Sequence, residues 1–171
     1  MLQGFNNSFS KKGGKTINQC LKKQPPTARK WPSLALFEDK FIFISGGQIL
    51  NHYHAYASVD VYDIAANRWK KATDMNIARY QHSSCCLGYF VYVCCGYNSR
   101  NGQTVLNSNY LIERLDIRSF LPNFAQKPAA WDLICCASSE SLTKSRMNPM
   151  MAPIGPSEIF IMGGTKTTAI E

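Results

Sequence analysis

No stretch of the 171-residue chain holds the roughly 18 unbroken apolar residues that a membrane-crossing helix needs. The N-terminus lacks the apolar segment of a secretory signal. The first 30 residues contain no Asp or Glu, yet they carry seven of the 19 basic residues. The remaining 12 basic residues face all 11 acidic ones, so the body is near neutral although the whole chain is +8. A near-neutral body argues against nucleic-acid binding, which draws on positive charge at the domain's own surface. The acid-free leader is weakly similar to an organelle transit peptide. Gly13-Gly14, Pro25-Pro26 and the absence of an amphipathic period favour a solvated tail over 1–30.

The cysteines also lack a pattern. There are seven, an odd number, and none has the C-x2-4-C spacing of structural zinc sites. Six are immediate neighbours: Cys85-Cys86, Cys94-Cys95 and Cys135-Cys136. Adjacent strand residues point to opposite faces, so such pairs are expected to be core fillers in a reducing, cytoplasmic setting. No window keeps a helical apolar period with caps.

What the chain does contain is short apolar runs that end on glycine. "FIFISGG" at 41–47 returns as "YFVYVCCG" at 89–96 and "EIFIMGG" at 158–164. Each is the second half of a hairpin signal. An Arg precedes each glycine end at nearly fixed distance: Arg29 before Gly46-Gly47, Arg79 before Cys95-Gly96, Arg146 before Gly163-Gly164. After the first come Tyr62-Asp63 and Trp69; after the second come Leu115-Asp116 and Trp131. Strands are expected near 33–38, 40–46, 56–64, 67–72, 82–87, 89–95, 110–117 and 130–136.

This ordered set resembles the kelch repeat, a unit of about 50 residues that forms one four-stranded blade of a β-propeller. The resemblance covers about four-fifths of the chain. It implies an all-β fold of antiparallel blades at about 33–72, 81–137 and an incomplete 149–171, so an incomplete ring. Cys95 in place of Gly and Leu115 in place of Tyr degrade the second copy. The glycines would permit close backbone approach, and Trp69 and Trp131 would fill the space between outer strands.

Several chemical signals weaken on inspection. "GGKT" at 13–16 has Phe9 where a phosphate loop needs Gly. His52 and His54 could share a face, but no third ligand is near. Asp60, Asp63, Asp116 and Asp132 offer no evident acid–base pair, and Asp63 and Asp116 fit turn caps.

The resemblance implies a non-catalytic protein-interaction module without cofactor or metal. Its partner would dock on loops 48–56 and 97–106, joined by 73–80 and 138–148. The candidate contacts are His52, Tyr53, His54, Tyr56, Tyr97, Asn98 and Arg100, since Tyr and Arg combine contact area with polar reach. The alternatives are a piece of a kelch-like oxidoreductase or isomerase, or a substrate-recognition subunit of a ubiquitin ligase. An incomplete ring would expose its end faces, so either a longer protein or self-association is expected.

Overall fold

The structure is a computed structural model that describes residues 24–52, 54–100, 103–106, 112–121, 129–134 and 146–166. The expected disorder over roughly 1–25 falls almost wholly outside them. Tyr53 and Cys135-Cys136 also lie outside.

The architecture is all-β and antiparallel. Strands β1 (Arg29–Lys30), β2 (Ser33–Phe37), β3 (Phe41–Ser45), β4 (Gln48–Ile49), β5 (Val59–Asp63) and β6 (Arg68–Lys71) form the first repeat. The second holds β7 (Ser83–Leu87), β8 (Phe90–Cys94), β9 (Tyr97–Arg100), β10 (Gln103–Leu106), β11 (Ile112–Asp116) and β12 (Trp131–Ile134). The third holds β13 (Arg146–Met147), β14 (Met150–Ile154), β15 (Glu158–Met162) and β16 (Thr165–Lys166). Two four-stranded sheets result, ordered β2-β3-β5-β6 and β7-β8-β11-β12, followed by the β14–β15 hairpin. The eight long strands of the two sheets lie inside the ranges expected from the apolar runs and turn signals. One 3-10 turn, Ile117–Phe120, starts at the Asp116 cap.

The first strands β2, β7 and β14 lie side by side, and each sheet extends away from them. Facing sheets then bury each other's apolar residues. Ala35, Phe37, Phe43, Val59 and Val61 of the first sheet meet Val91, Val93, Leu115 and Trp131 of the second. The opposite face of the second sheet, through Tyr92, Cys94, Ile112 and Ile134, meets Met151 and Ile161 of the hairpin. Period-2 alternation makes this possible, because one strand supplies both faces.

The glycine ends have a steric cause. A Cβ at Gly46 would lie 2.2 Å from the Arg79 carbonyl oxygen of the next repeat. That carbonyl accepts a hydrogen bond from the Gly47 N–H at 2.8 Å. The Gly96 N–H donates in the same way to Arg146 at 3.2 Å. Gly163 has the same left-handed backbone, φ +68°, but among the described residues no atom lies within 4 Å of its Cβ position.

Three features differ from the sequence reading. Within the expected loop 97–106, Tyr97–Arg100 and Gln103–Leu106 pair as antiparallel strands β9 and β10. Arg29 and Lys30, placed in the leader, pair with Ile49 and Gln48. Trp69 and Trp131 are equivalent by register, opposite Tyr62 and Leu115 respectively. Yet only Trp131 is enclosed, at 6% exposure, with its indole N–H donating to the Thr73 carbonyl at 2.9 Å. Trp69 is half-buried, its ring 4.9 Å from Tyr62.

Two comparisons check this arrangement. Trp131→Ala should cost about 3–5 kcal/mol, the usual loss for a buried large aromatic, and Trp69→Ala clearly less. Gly46→Ala should cost more than Gly163→Ala, because both meet left-handed strain of about 1–2 kcal/mol but only the first meets a backbone oxygen. Thermal melts of the four variants read both orders; a reversed order in either pair contradicts the packing.

Candidate functional site

The four segments singled out as loops meet at one end of the sheets, held by backbone bonds. Tyr56 N–H donates to Gly47 at 2.7 Å and Arg79 N–H to Tyr56 at 3.1 Å. Tyr80 and Tyr97 exchange bonds at 2.9 and 2.8 Å. The Gly96 bond adds Arg146. Thus 48–56, 73–80, the start of 97–106 and the end of 138–148 share this end.

The repeated arginines anchor it. Arg29 donates to the Gly46 carbonyl at 2.7 Å, Arg79 to Cys95 at 3.0 Å and Arg146 to Gly163 at 2.7 Å. Two of them also pair with acids from the third long strand of their repeat: Arg29 with Asp60, and Arg79 with Glu113 at 2.7 Å. The second pair has no solvent exposure at either side chain. Glu113 further accepts from the Asn76 and Ile77 backbone N–H groups at 2.7 and 3.2 Å. A buried charge is costly unless it is paired and fully hydrogen-bonded. The Arg79–Glu113 contacts meet that condition, whereas the Arg29 Nε is buried with no hydrogen-bond partner among the described residues. Burial lowers the pKa of Arg29, and Asp60 opposes that shift.

Between the first two arginines lies His82, buried and 2.8 Å from the Ser45 hydroxyl. Burial holds its pKa well below the ordinary value, with Arg79 and Arg29 adding repulsion. His82 is therefore neutral near pH 7. Its Cε1 is also one of the atoms that an added Cβ on Gly46 would strike, at 2.7 Å.

The predicted contact residues divide. His52 and His54 are exposed beside Asn51, whose φ of +64° turns the loop outward. Tyr56 is half-buried under the Arg29 guanidinium, 5.2 Å from its ring centroid, so it supports the loop. Tyr97 is half-buried in the bridge to Tyr80, with ring centroids 5.7 Å apart. Asn98 is half-buried in β9. Arg100 is in β9, with its side chain outside the described set; Tyr53 is outside it altogether. Asp60 as an arginine partner, and Glu113 altogether, were not among the residues singled out from the sequence. Their signal was present, since each lies three residues before its repeat's Asp, Asp63 and Asp116. Trp31, 52% exposed and stacked 6.1 Å from Tyr80, was not singled out either.

Asp63 and Asp116 cap turns as expected. Asp63 accepts from the Ala66 N–H at 2.9 Å, the main cause of its lowered pKa. Asp116 is lowered chiefly by its side-chain bond from Arg118. Among the described residues no group of three His, Cys, Asp or Glu side chains is placed to hold a metal ion. No helix among them is long and apolar enough to cross a membrane.

The neutral His82 sets a pH dependence. Its folded pKa is depressed, so its stabilising effect is complete above the unfolded value of about 6.5 and is lost as pH falls below it. Stability should drop by at most about 1.4 kcal/mol per pH unit there. Denaturant melts at pH 7.5 and 5.5 should show a smaller drop for His82→Gln than for the parent. Equal drops would place a charged histidine in the fold.

No protein-family model matches the chain, and no curated protein matches it. Among solved structures 126 chains match. One, titled "Structure of YjhT", has a TM-score of 0.62 at 13% identity, covering 84% of this chain and 36% of that one. This chain thus spans little more than a third of that structure's length. A likeness at such low identity is one of fold: antiparallel four-stranded sheets in succession.

Proposed function

We propose that the sheets are kelch-type blades of a β-propeller and that the chain is a non-catalytic protein-interaction module working in the cytoplasm. The observation that carries this reading is the shared end. Loops from successive repeats meet there on a frame of arginine–carbonyl contacts. Loops held by a rigid scaffold are the usual carriers of recognition. The buried charged groups of the first two repeats are engaged with one another, so they serve the frame rather than a reaction. His52, Tyr53, His54 and Arg100 are the residues assigned to partner contact; Tyr56, Tyr97 and Asn98 are assigned to holding them.

The test is a double change of Tyr53 and Arg100 to Ala with circular dichroism as a folding control. Affinity capture followed by mass spectrometry should lose the parent's specific interactors. Identical capture by parent and variant would overturn the assignment of this end.

A second surface supports self-association. Leu34 and Leu36 on the first sheet are 59% and 52% exposed, and Met150, Ile154 and Phe160 on the hairpin are 63%, 49% and 49% exposed. By register, the first pair matches Ser84 and Cys86 of the sheet-two face that packs on sheet one. Met150, Ile154 and Phe160 match Ser33, Phe37 and Phe43 on the sheet-one side. One copy's hairpin is therefore suited to another copy's first sheet, head to tail. Light scattering should find an oligomer that Leu36→Lys dissociates; a monodisperse monomer would exclude this surface as an interface between copies.

A further inference from the structure

Cys94 and Cys95 depart from the expectation for neighbouring residues. Cys94 ends β8, but Cys95 follows it with a left-handed φ of +62°. The turn brings the two thiols together, and their side chains are hydrogen-bonded. The Cys94 Sγ also lies 3.7 Å from the Met151 Sδ of β14. Three sulfur atoms from two repeats therefore converge where the second sheet meets the third hairpin. Cys94 and Cys95 are 1% and 3% exposed, while Met151 is half-buried at the margin.

The two cysteines lie in one buried cluster with Ile112, edged by Tyr92, Met151 and Ile161. The Cys94 thiol bond is the main cause lowering the Cys95 pKa, and Arg79 and Arg146 act in the same direction. Cys94 itself is raised, first by that bond and then by burial. Cys85 and Cys86 behave differently: burial pushes them up to about 11 and about 12, as inert core thiols. Among the described cysteines, the Cys94-Cys95 pair alone combines mutual contact, a thioether and nearby guanidinium charge.

We propose that Cys94, Cys95 and Met151 form a binding site for Cu(I). A soft monovalent ion is satisfied by two thiolates and a thioether. Zinc prefers four ligands of the Cys, His and carboxylate kind, and the described residues place no third such group here. Binding forms two copper–thiolate bonds and one copper–thioether bond. The thiol protons that Cys94 and Cys95 carry leave to solvent, and copper keeps its oxidation state. The resulting two-thiolate complex carries one net negative charge, with the Arg146 guanidinium nearby and that of Arg79 already paired with Glu113.

The experiment uses the full chain with Cys20, Cys135 and Cys136 changed to Ser, reduced and without oxygen. Cu(I) is added in competition with the coloured chelator bicinchoninate. One equivalent per chain should be withheld from the chelator. Cys95→Gly is the decisive variant, because it restores the residue that the other repeats carry at this φ and so keeps the fold. It should melt no lower than its parent and lose the withheld copper. Met151→Leu should weaken binding by about tenfold, the lower range for losing a contact that tunes a metal. No withheld copper in the parent, or undiminished binding in Cys95→Gly, would overturn the site. Undiminished binding in Met151→Leu would overturn its three-sulfur form.

Discussion

The structure depends on one close approach between backbones. The start of each repeat lies against the glycine end of the repeat before it, near enough that a Cβ at Gly46 would be 2.2 Å from a carbonyl oxygen. The same junction carries a chain of hydrogen bonds. Gln81 N–H donates to Trp31 at 3.1 Å and Asn148 N–H to Gln81 at 2.9 Å. Trp31, Gln81 and Asn148 all have φ near +50°, so the three repeat starts turn alike. Sheets joined this way must face each other, and the apolar core between them follows. Where the approach is relaxed, at Cys95, the corresponding N–H to carbonyl distance is 3.2 Å rather than 2.8 Å.

Buried charge is set around that junction. An arginine in the interior contributes little net stability, because desolvation offsets most of the attraction to its partner. Removing one partner is another matter, since an unpaired buried ion remains. The Arg79–Glu113 pair therefore acts as a constraint on geometry: the strand that brings Glu113 and the segment that brings Arg79 must arrive together. This rigidity is what lets exposed residues such as His52 and His54 sit on a fixed base.

Much of the fold was legible because its signals are local. The apolar runs "FIFIS" and "FVYVC" give β3 and β8 directly, and the turn signals at 38–40 and 87–88 give their hairpin partners. The arginine spacing was legible as a regularity, but its meaning was not. Asp60 and Glu113 lie 31 and 34 residues from their arginines. Their shared place, three residues before Asp63 and Asp116, marks an equivalent position in the two repeats but does not name the arginine as its partner. The Cys94-Cys95 contact was hidden for a different reason: it depends on a left-handed residue where a strand was expected to continue. Trp69 and Trp131 have the same place in the repeat and differ only in what covers them, which is a property of neighbouring repeats.

The most direct measurement is residue-resolved amide hydrogen exchange. The amides of Gly47, Gln81, Gly96 and Asn148 lie outside the long strands, yet each donates across a repeat junction. They should exchange about as slowly as the amides inside β3 and β8. Rapid exchange at these four positions, with β3 and β8 protected, would contradict the junction on which the fold rests.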